Sequence, residues 1–477
     1  MMRNPSLTRA GAVLAGALML AACKTFSPDG GMDVAANLAG QELDKDVVAI
    51  RTPDDASSAR ARVQHLLKRP LTADTAVQIA LLNNRGLQAA YNELGIAEAT
   101  MVADSLPPNP KLSISRIASA IEVEIERKIV ADILALATLP ARAEIAQDRF
   151  RQAQLRAAER TVRTVAEARR FYYRAVASRQ LAGLLVQAQS AAASAARLAT
   201  RLGESGALNK LDQAREQVFY AEVTAQFADA RQRAASDRER LIQAMGLWGN
   251  DLAFKLPASL PTLPPRLRSL STVERDALRR RVDVQIARIE VETLAKSFGL
   301  SQATRFINVL DLGAIAKTTR SAEGEVNRQR GVEVELQVPL FDFGETRLRE
   351  AEQTYMQAVN RLAERAINVR SEARDAYRNF RSTYDIAAHY QREVLPLRKI
   401  ISDEMMLRYG AMQVDVYSLL TEQRQRIASN MAAIEAQKNF WLAGTDLSAA
   451  MIGGGAPASS EEASNVTMPA SGGAPGH

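Results

Sequence analysis

Between Arg142 and Leu202 the chain contains no proline, and alanine, arginine and glutamine dominate. Roughly sixty residues of that kind spell one uninterrupted helix, about 90 Å long at 1.5 Å per residue. Such a helix belongs to a coiled coil or helical array rather than to a globular core. Gly203-Glu204-Ser205-Gly206 interrupts it, and a second helix is predicted from Leu208 to Met245, closed by Gly246, Gly249 and Pro257. Upstream, Thr72 is a plausible cap for a helix that runs from Leu71 to about Leu106. Pro107-Pro108-Asn109-Pro110 stops that helix.

The plan then recurs. A helix is predicted from Val273 to Ser297, a long one from Glu345 to Arg408 with a kink at Pro396, and a last one from Val416 to Met451. Arg201-Leu202-Gly203 answers Arg408-Tyr409-Gly410 at an offset of 207 residues, and Gly246 answers Gly453 at the same offset. Leu87-Gln88-Ala89-Ala90 answers Val284-Gln285-Ile286-Ala287 at an offset of 197. Two halves on one plan imply internal pseudosymmetry. Two short helices of about 36 and 38 residues stacked end to end match one long helix, giving a cylinder roughly 90–100 Å tall. Abundant alanine favours helix and permits close seams.

The N-terminus reads as a processing segment. Arg3 and Arg9 precede an apolar stretch from Gly11 to Leu20, too short to span a bilayer as a helix. It ends Leu20-Ala21-Ala22-Cys23, and this is the only cysteine of the chain. The pattern resembles a bacterial lipoprotein box, in which Cys23 is lipidated and becomes the first mature residue. Lys24 after it resembles an outer-membrane address. Residues 24–68 are polar, lack clear periodicity and read as an extended linker; the tail after Gly453 is rich in Gly, Ala, Ser and Pro and reads as disordered. One Cys and three His, at His65, His389 and His477, exclude a disulfide framework within the chain and leave no spacing for a metal site. The formal charge of +7 is dispersed among mixed-sign helices, a poor footprint for nucleic acid.

Strands lie between the helices. In Gly331–Leu340, Val332, Val334, Leu336 and Val338 alternate with Glu333, Glu335 and Gln337, a period of two. Ile121, Val123, Ile125 and Ile129 alternate likewise with Glu122, Glu124, Glu126 and Lys128, and Arg127 breaks the apolar side. Lys111–Ile117 and Thr304–Leu312 are the candidate partners. An apolar face backed by carboxylates fits lipid on one side and water on the other; a solvated hairpin on a soluble protein fits the pattern equally well. Four strands cannot close a pore, and open edges are forbidden in lipid, so a membrane barrel requires assembly. Three copies supply twelve strands.

Several segments together resemble the TolC-like outer-membrane efflux proteins. Val338-Pro339-Leu340-Phe341-Asp342-Phe343-Gly344 is similar to the signature that enters the family's second long helix. Ala80-Leu81-Leu82-Asn83-Asn84-Arg85-Gly86-Leu87-Gln88-Ala89-Ala90 is similar to its opening helix, with Arg85 where proline is common. Asn109-Pro110-Lys111-Leu112 resembles the run into the first strand, and Leu419-Leu420, Glu422-Gln423 and Leu447 the last helix. The first hairpin is short, and residues 130–139 lack the glycine-marked strand exit seen at Gly344.

The resemblance implies a mainly α fold with a small β part: a trimeric 12-stranded transmembrane β-barrel, four strands per chain, continued by a long α-helical periplasmic barrel built from two internal repeats. It divides the chain into a lipoprotein signal peptide (1–22), an N-terminal linker (23–69), a first repeat (70–256), a linker (257–270), a second repeat (271–453) and the tail (454–477). It implies a passive outer-membrane channel, lipid-anchored and extending into the periplasm. The implied partners are a periplasmic adaptor (membrane fusion) protein and an inner-membrane transporter of the RND type. No cofactor, metal or catalytic residue is expected. Glu333, Glu335 and Gln337 are expected to face the lumen. Arg201, Leu202, Gly203, Arg408, Tyr409 and Gly410 are expected to form the tip turns that meet the adaptor, and Asp403 and Arg408 to contribute resting-state ion pairs. The competing class is a lipid-anchored periplasmic coiled-coil scaffold without a pore. An enzyme is disfavoured because no acid, base and nucleophile converge in the sequence.

Overall fold

A computed structural model describes residues 26–267 and 272–453. Cys23, the signal segment, His477 and the tail lie outside them. The helices are α1 (Asp33–Leu43), α2 (Pro53–Leu67), α3 (Ala73–Asn83), α4 (Arg85–Asp104), α5 (Ile133–Ala137), α6 (Leu139–Glu204), α7 (Lys210–Met245), α8 (Val273–Arg280), α9 (Val282–Ala303), α10 (Glu345–His389), α11 (Leu395–Gly410) and α12 (Val416–Ile452). The strands are β1 (Lys111–Ala118), β2 (Glu122–Asp132), β3 (Val309–Ser321) and β4 (Val326–Gln337). Their contacts divide the chain into two units.

The first unit comprises residues up to Asp33, Tyr91–Leu155 and Ile286–Ala363. It holds one sheet in the order β1-β2-β3-β4, antiparallel throughout. Beneath the sheet, α9 fastens to the start of α6. Lys296 Nζ sits 2.6 Å from Asp148 Oδ2 and 3.0 Å from Glu144 Oε1, and Gln152 donates to Thr293 Oγ1 at 3.1 Å. These two carboxylates hold the Lys296 ammonium above its ordinary pKa, against the smaller opposing effect of desolvation.

The second unit comprises Val34–Ala90, Arg156–Gln285 and the residues from Glu364 onward. Its core packs Ala76, Ile79 and Leu82 of α3, Tyr172, Tyr173 and Val176 of α6 and Leu241 and Met245 of α7 against the strap Phe254–Leu260. Tyr172 donates to the Leu71 carbonyl at 3.1 Å, and burial pushes its phenol up to about 12. Farther along α6 the contact with α7 thins to Leu185, Ala188, Val223 and Ala230, small enough for two long helices to lie close. On α10 and α12 the corresponding layer is Tyr384, Ala387, Ala388, Ala436 and Phe440.

The structure departs from the sequence reading at several points. The segment read as one extended linker, residues 24–68, holds two helices within its described part, α1 and α2. Thr52 and Asp55 form a reciprocal capping box around Pro53, a local signal strong enough to start α2. The opening helix is two helices. Asn84 leaves the helical region at ψ 116°, its Oδ1 caps Leu87 N at 2.9 Å, and its Nδ2 donates to the Ala244 carbonyl at 2.9 Å. The helix from Val273 is likewise cut, at Arg281. Strand β3 starts five residues later than Thr304 and runs to Ser321. Ahead of Pro396, residues Tyr390–Val394 widen into a π-turn, which accommodates the donor that proline lacks.

One contact occurs in both halves. Gly246 closes α7 at φ +67°, and a Cβ there would stand 2.5 Å from the Asn83 carbonyl oxygen at the α3–α4 break. Gly453 closes α12 at φ +104°, and its Cβ would stand 3.0 Å from Val282 N at the α8–α9 break.

Candidate functional site

Directly opposed residues of antiparallel strands project to one side, and successive residues to opposite sides. The register therefore sorts the sheet into two faces. One carries Leu112, Ile114, Ile125, Ile129, Leu310, Leu312, Val332, Val334 and Leu336. It lies open: Val332 is 76% exposed and Ile114 66%. The other face carries Glu122, Glu124, Glu126, Asp132, Asp311, Glu333 and Glu335 against Lys111, Lys128 and Lys317, a net charge of −4.

Glu333, Glu335 and Gln337 all project to this charged face. Lys128 Nζ reaches Glu333 Oε2 across β3 at 2.5 Å, and Lys317 Nζ reaches Glu124 Oε1 at 2.6 Å. Gly313, opposite Glu333, leaves that diagonal clear. Asp311 and Lys317 were not legible as members of the face, because the alternation in β3 decays into Gly313-Ala314-Ile315-Ala316. The chain exits β4 through Val338–Gly344. Phe343 and Gly344 take positive φ there, and a Cβ on Gly344 would stand 2.3 Å from the Arg305 carbonyl oxygen. Arg305 donates to the Phe343 carbonyl at 2.9 Å and pairs with Glu345 at 2.7 Å. The exit from β2 needs no glycine. Asp132 caps the one-turn helix α5 through Ala135 N at 2.7 Å.

The two helix-to-helix turns lie in the second unit. Arg201, Leu202 and Gly203 are still in α6, and Arg408, Tyr409 and Gly410 are the last residues of α11. The turns themselves follow these residues. Their left-handed positions are Gly206 at φ +75° and Met412 at φ +59°, not Gly203 or Gly410. Asp403 and Arg408 do not pair with each other. Asp403 binds Lys399 at 2.7 Å and Arg408 binds Glu404 at 2.8 Å, each one turn away on its own helix. Exposed pairs of this kind hold nothing between helices.

The ties between helices near these turns come from residues the sequence reading passed over. Arg424 of α12 reaches Glu216 of α7 at 2.6 Å and lies 4.4 Å over the Phe219 ring. Arg398 of α11 reaches Glu422 of α12 at 3.1 Å. Glu216 and Glu422 are buried. Burial pushes the Glu216 carboxyl up, and Arg424 only partly offsets this. Glu216 Oε2, Glu422 Oε1 and Arg424 Nε are left without hydrogen-bond partners among the described residues. A half-satisfied buried network is a costly one.

Among the described residues, no helix is long and apolar enough to cross a membrane, and no group of His, Cys, Asp and Glu could hold a metal ion.

No protein-family model and no curated protein matches the sequence. Solved structures do match. CusC, whose structures concern folding and transmembrane channel formation, is 17% identical, covers 80% of this chain and 92% of its own, and superposes with a TM-score of 0.66. The CmeC outer-membrane channel of Campylobacter jejuni is 15% identical over 88% of this chain and 92% of that one, at 0.66. The outer-membrane channel OprN is 17% identical over 86% and 97%, also at 0.66. The chain has the fold of the TolC-like outer-membrane efflux channels.

Proposed function

We propose that the protein is the outer-membrane channel of a tripartite efflux system: a passive exit duct fed by an inner-membrane transporter, of the RND type, through a periplasmic adaptor. One observation carries this reading. The sheet exposes a band of apolar side chains on one face, from Leu310 and Leu336 up to Leu112, Ile129 and Val332, gathers a net charge of −4 on the other, and leaves β1 and β4 with unpaired edges. Backbone groups on such edges are intolerable in hydrocarbon. Pairing β1 of one chain with β4 of the next removes every edge, and three copies then make a twelve-stranded barrel, apolar outside and charged within.

The helices continue the duct in the periplasm, and the recurring glycine contact at Gly246 and Gly453 supports the two-repeat organisation with the boundaries given above. The turns after Arg201–Gly203 and Arg408–Gly410 are the adaptor-facing tip. Cys23 carries the acyl anchor. The chain supplies no energy; transport is driven by the inner-membrane partner, and Glu333 and Glu335 bias passage electrostatically.

The test is single-channel conductance of the acylated protein in a planar bilayer, paired with its mass in mild detergent. A trimer with discrete conducting steps is expected. A monomer that neither inserts nor conducts overturns the reading in favour of the pore-free scaffold.

A further inference from the structure

The apolar face of the sheet is not apolar along its whole height. Its rows from Leu310 and Leu336 up to Leu112, Ile129 and Val332 hold only apolar residues. The three rows nearest the hairpins carry five arginines. Arg127 and Arg330 share one row, Arg116 and Arg328 the next, and Arg320 stands in the last. All five are exposed. No acid occurs on this face, and none of the five has an ion-pair or hydrogen-bond partner through its side chain among the described residues. Lys128 and Lys317 of the opposite face are, by contrast, engaged with Glu333 and Glu124.

An arginine on the lipid side of a barrel is destabilising, increasingly so with depth. Five without counter-charges call for anions supplied by the surroundings. Rows two residues apart are separated by about 6.7 Å and neighbouring strands by about 4.8 Å. The five guanidinium groups therefore spread over a patch roughly 13 Å deep and 14 Å wide. One phosphate, gripped by a pair of guanidinium forks, leaves the others unpaired. The apolar rows below are the place for acyl chains.

We infer that the hairpin end of the sheet binds a multiply acylated lipid carrying at least two phosphates, with its phosphates on Arg116, Arg127, Arg320, Arg328 and Arg330 and its chains on the apolar rows beneath. This rests on the barrel reading, which places that end in the outer leaflet. The site makes the protein a reader of leaflet composition, in addition to a duct.

The test uses the full-length acylated protein in mild detergent, with diphosphoryl lipid A, monophosphoryl lipid A, phosphatidylglycerol and inorganic phosphate as probes. Retained lipid is counted by native mass spectrometry, and insertion and conductance are measured in parallel in phosphatidylcholine bilayers. Diphosphoryl lipid A is expected to be retained. Its affinity is expected to fall at least tenfold in Arg328→Gln/Arg330→Gln and in Arg116→Gln/Arg127→Gln, but not in Arg349→Gln on α10. Without any substitution, the same lipid is expected to protect Arg328 and Arg330 from phenylglyoxal, and phosphatidylcholine is not. Equal retention by wild type and double variants, with insertion and conductance intact, overturns the inference and leaves the channel standing. So does an affinity for inorganic phosphate or phosphatidylglycerol that matches the diphosphoryl lipid. A wild-type protein that neither inserts nor conducts overturns both.

Discussion

Glu159 of α6 shows how single charges are set in the helical unit. Burial and the nearby Asp283 carboxylate raise its pKa, and Arg365, Arg163 and Arg281 only partly restore it. Asp283 is itself committed to Arg281, whose guanidinium is buried and also reaches Glu372 at 2.5 Å. A carboxyl whose folded pKa is raised stabilises the fold fully below its unfolded value, about 4.3. That contribution is lost as the pH climbs through the folded value. At neutral pH the ionised Glu159 is therefore a cost. Glu159→Gln is expected to raise the midpoint of thermal unfolding at pH 7, by the equivalent of roughly 1 kcal/mol at most given partial solvent screening. The gain should shrink toward zero as the pH is lowered to about 4. Helical circular dichroism across that range checks both the size and the direction. On the charged sheet face, Glu333→Gln/Glu335→Gln removes two of the seven carboxylates. If this face lines a pore, the change should lower the pore's cation preference and Lys128→Gln should raise it, read as opposite shifts of reversal potential in a salt gradient.

Elements were legible in the sequence to the extent that their signals are local. The ends of α6, α7 and α12 follow glycines and prolines, and β2 follows its alternation, so these were placed within a few residues; β4 starts at Val326, five residues before the alternating run that announced it. β3 lost its pattern past Leu312 because Gly313 brings no side chain to the charged face, Ile315 puts an apolar one there, and Ala314 and Ala316 are small on the other face. The breaks at Asn84 and Arg281 depend on contacts with residues some 160–170 positions away, Ala244 and Ala450. No local pattern announces those contacts. The turn glycines were legible as breaks and misplaced as geometry, since the helices absorb Gly203 and Gly410 and hand the left-handed positions to Gly206 and Met412. The Arg424–Glu216 tie between α7 and α12 escaped because it joins positions 208 residues apart. If the tie holds the tip closed, Arg424→Ala should raise resting single-channel conductance several-fold, while Arg408→Ala, which frees only a surface pair, should not. Gly246→Ala puts a side chain at positive φ against the Asn83 carbonyl. It should cost about 1–3 kcal/mol in unfolding titrations.

The whole molecule is decided at the two strand edges, and the register says which backbone groups face outward there. Ser119 N–H bonds the Glu122 carbonyl. By alternation along β1, the odd residues donate to β2 and the even ones, Leu112, Ile114 and Arg116, point their N–H groups to the open edge. Ser321 N–H bonds the Glu325 carbonyl, and the same alternation leaves the even residues of β4, Val332 and Val334 among them, unbonded on the far side. A proline removes one donor and nothing else of the backbone pairing if that donor faces outward. Ile114→Pro and Val332→Pro should therefore leave each four-stranded sheet paired while weakening the seam between protomers. Ser113→Pro and Glu333→Pro break the sheet itself. If three chains share one barrel, the first pair of variants should fall from trimer toward monomer in mild detergent with strand content preserved, and the second pair should lose strand content as well. Unchanged oligomeric mass in Ile114→Pro and Val332→Pro would mean that the edges do not pair between chains, and a twelve-stranded barrel would have to be abandoned.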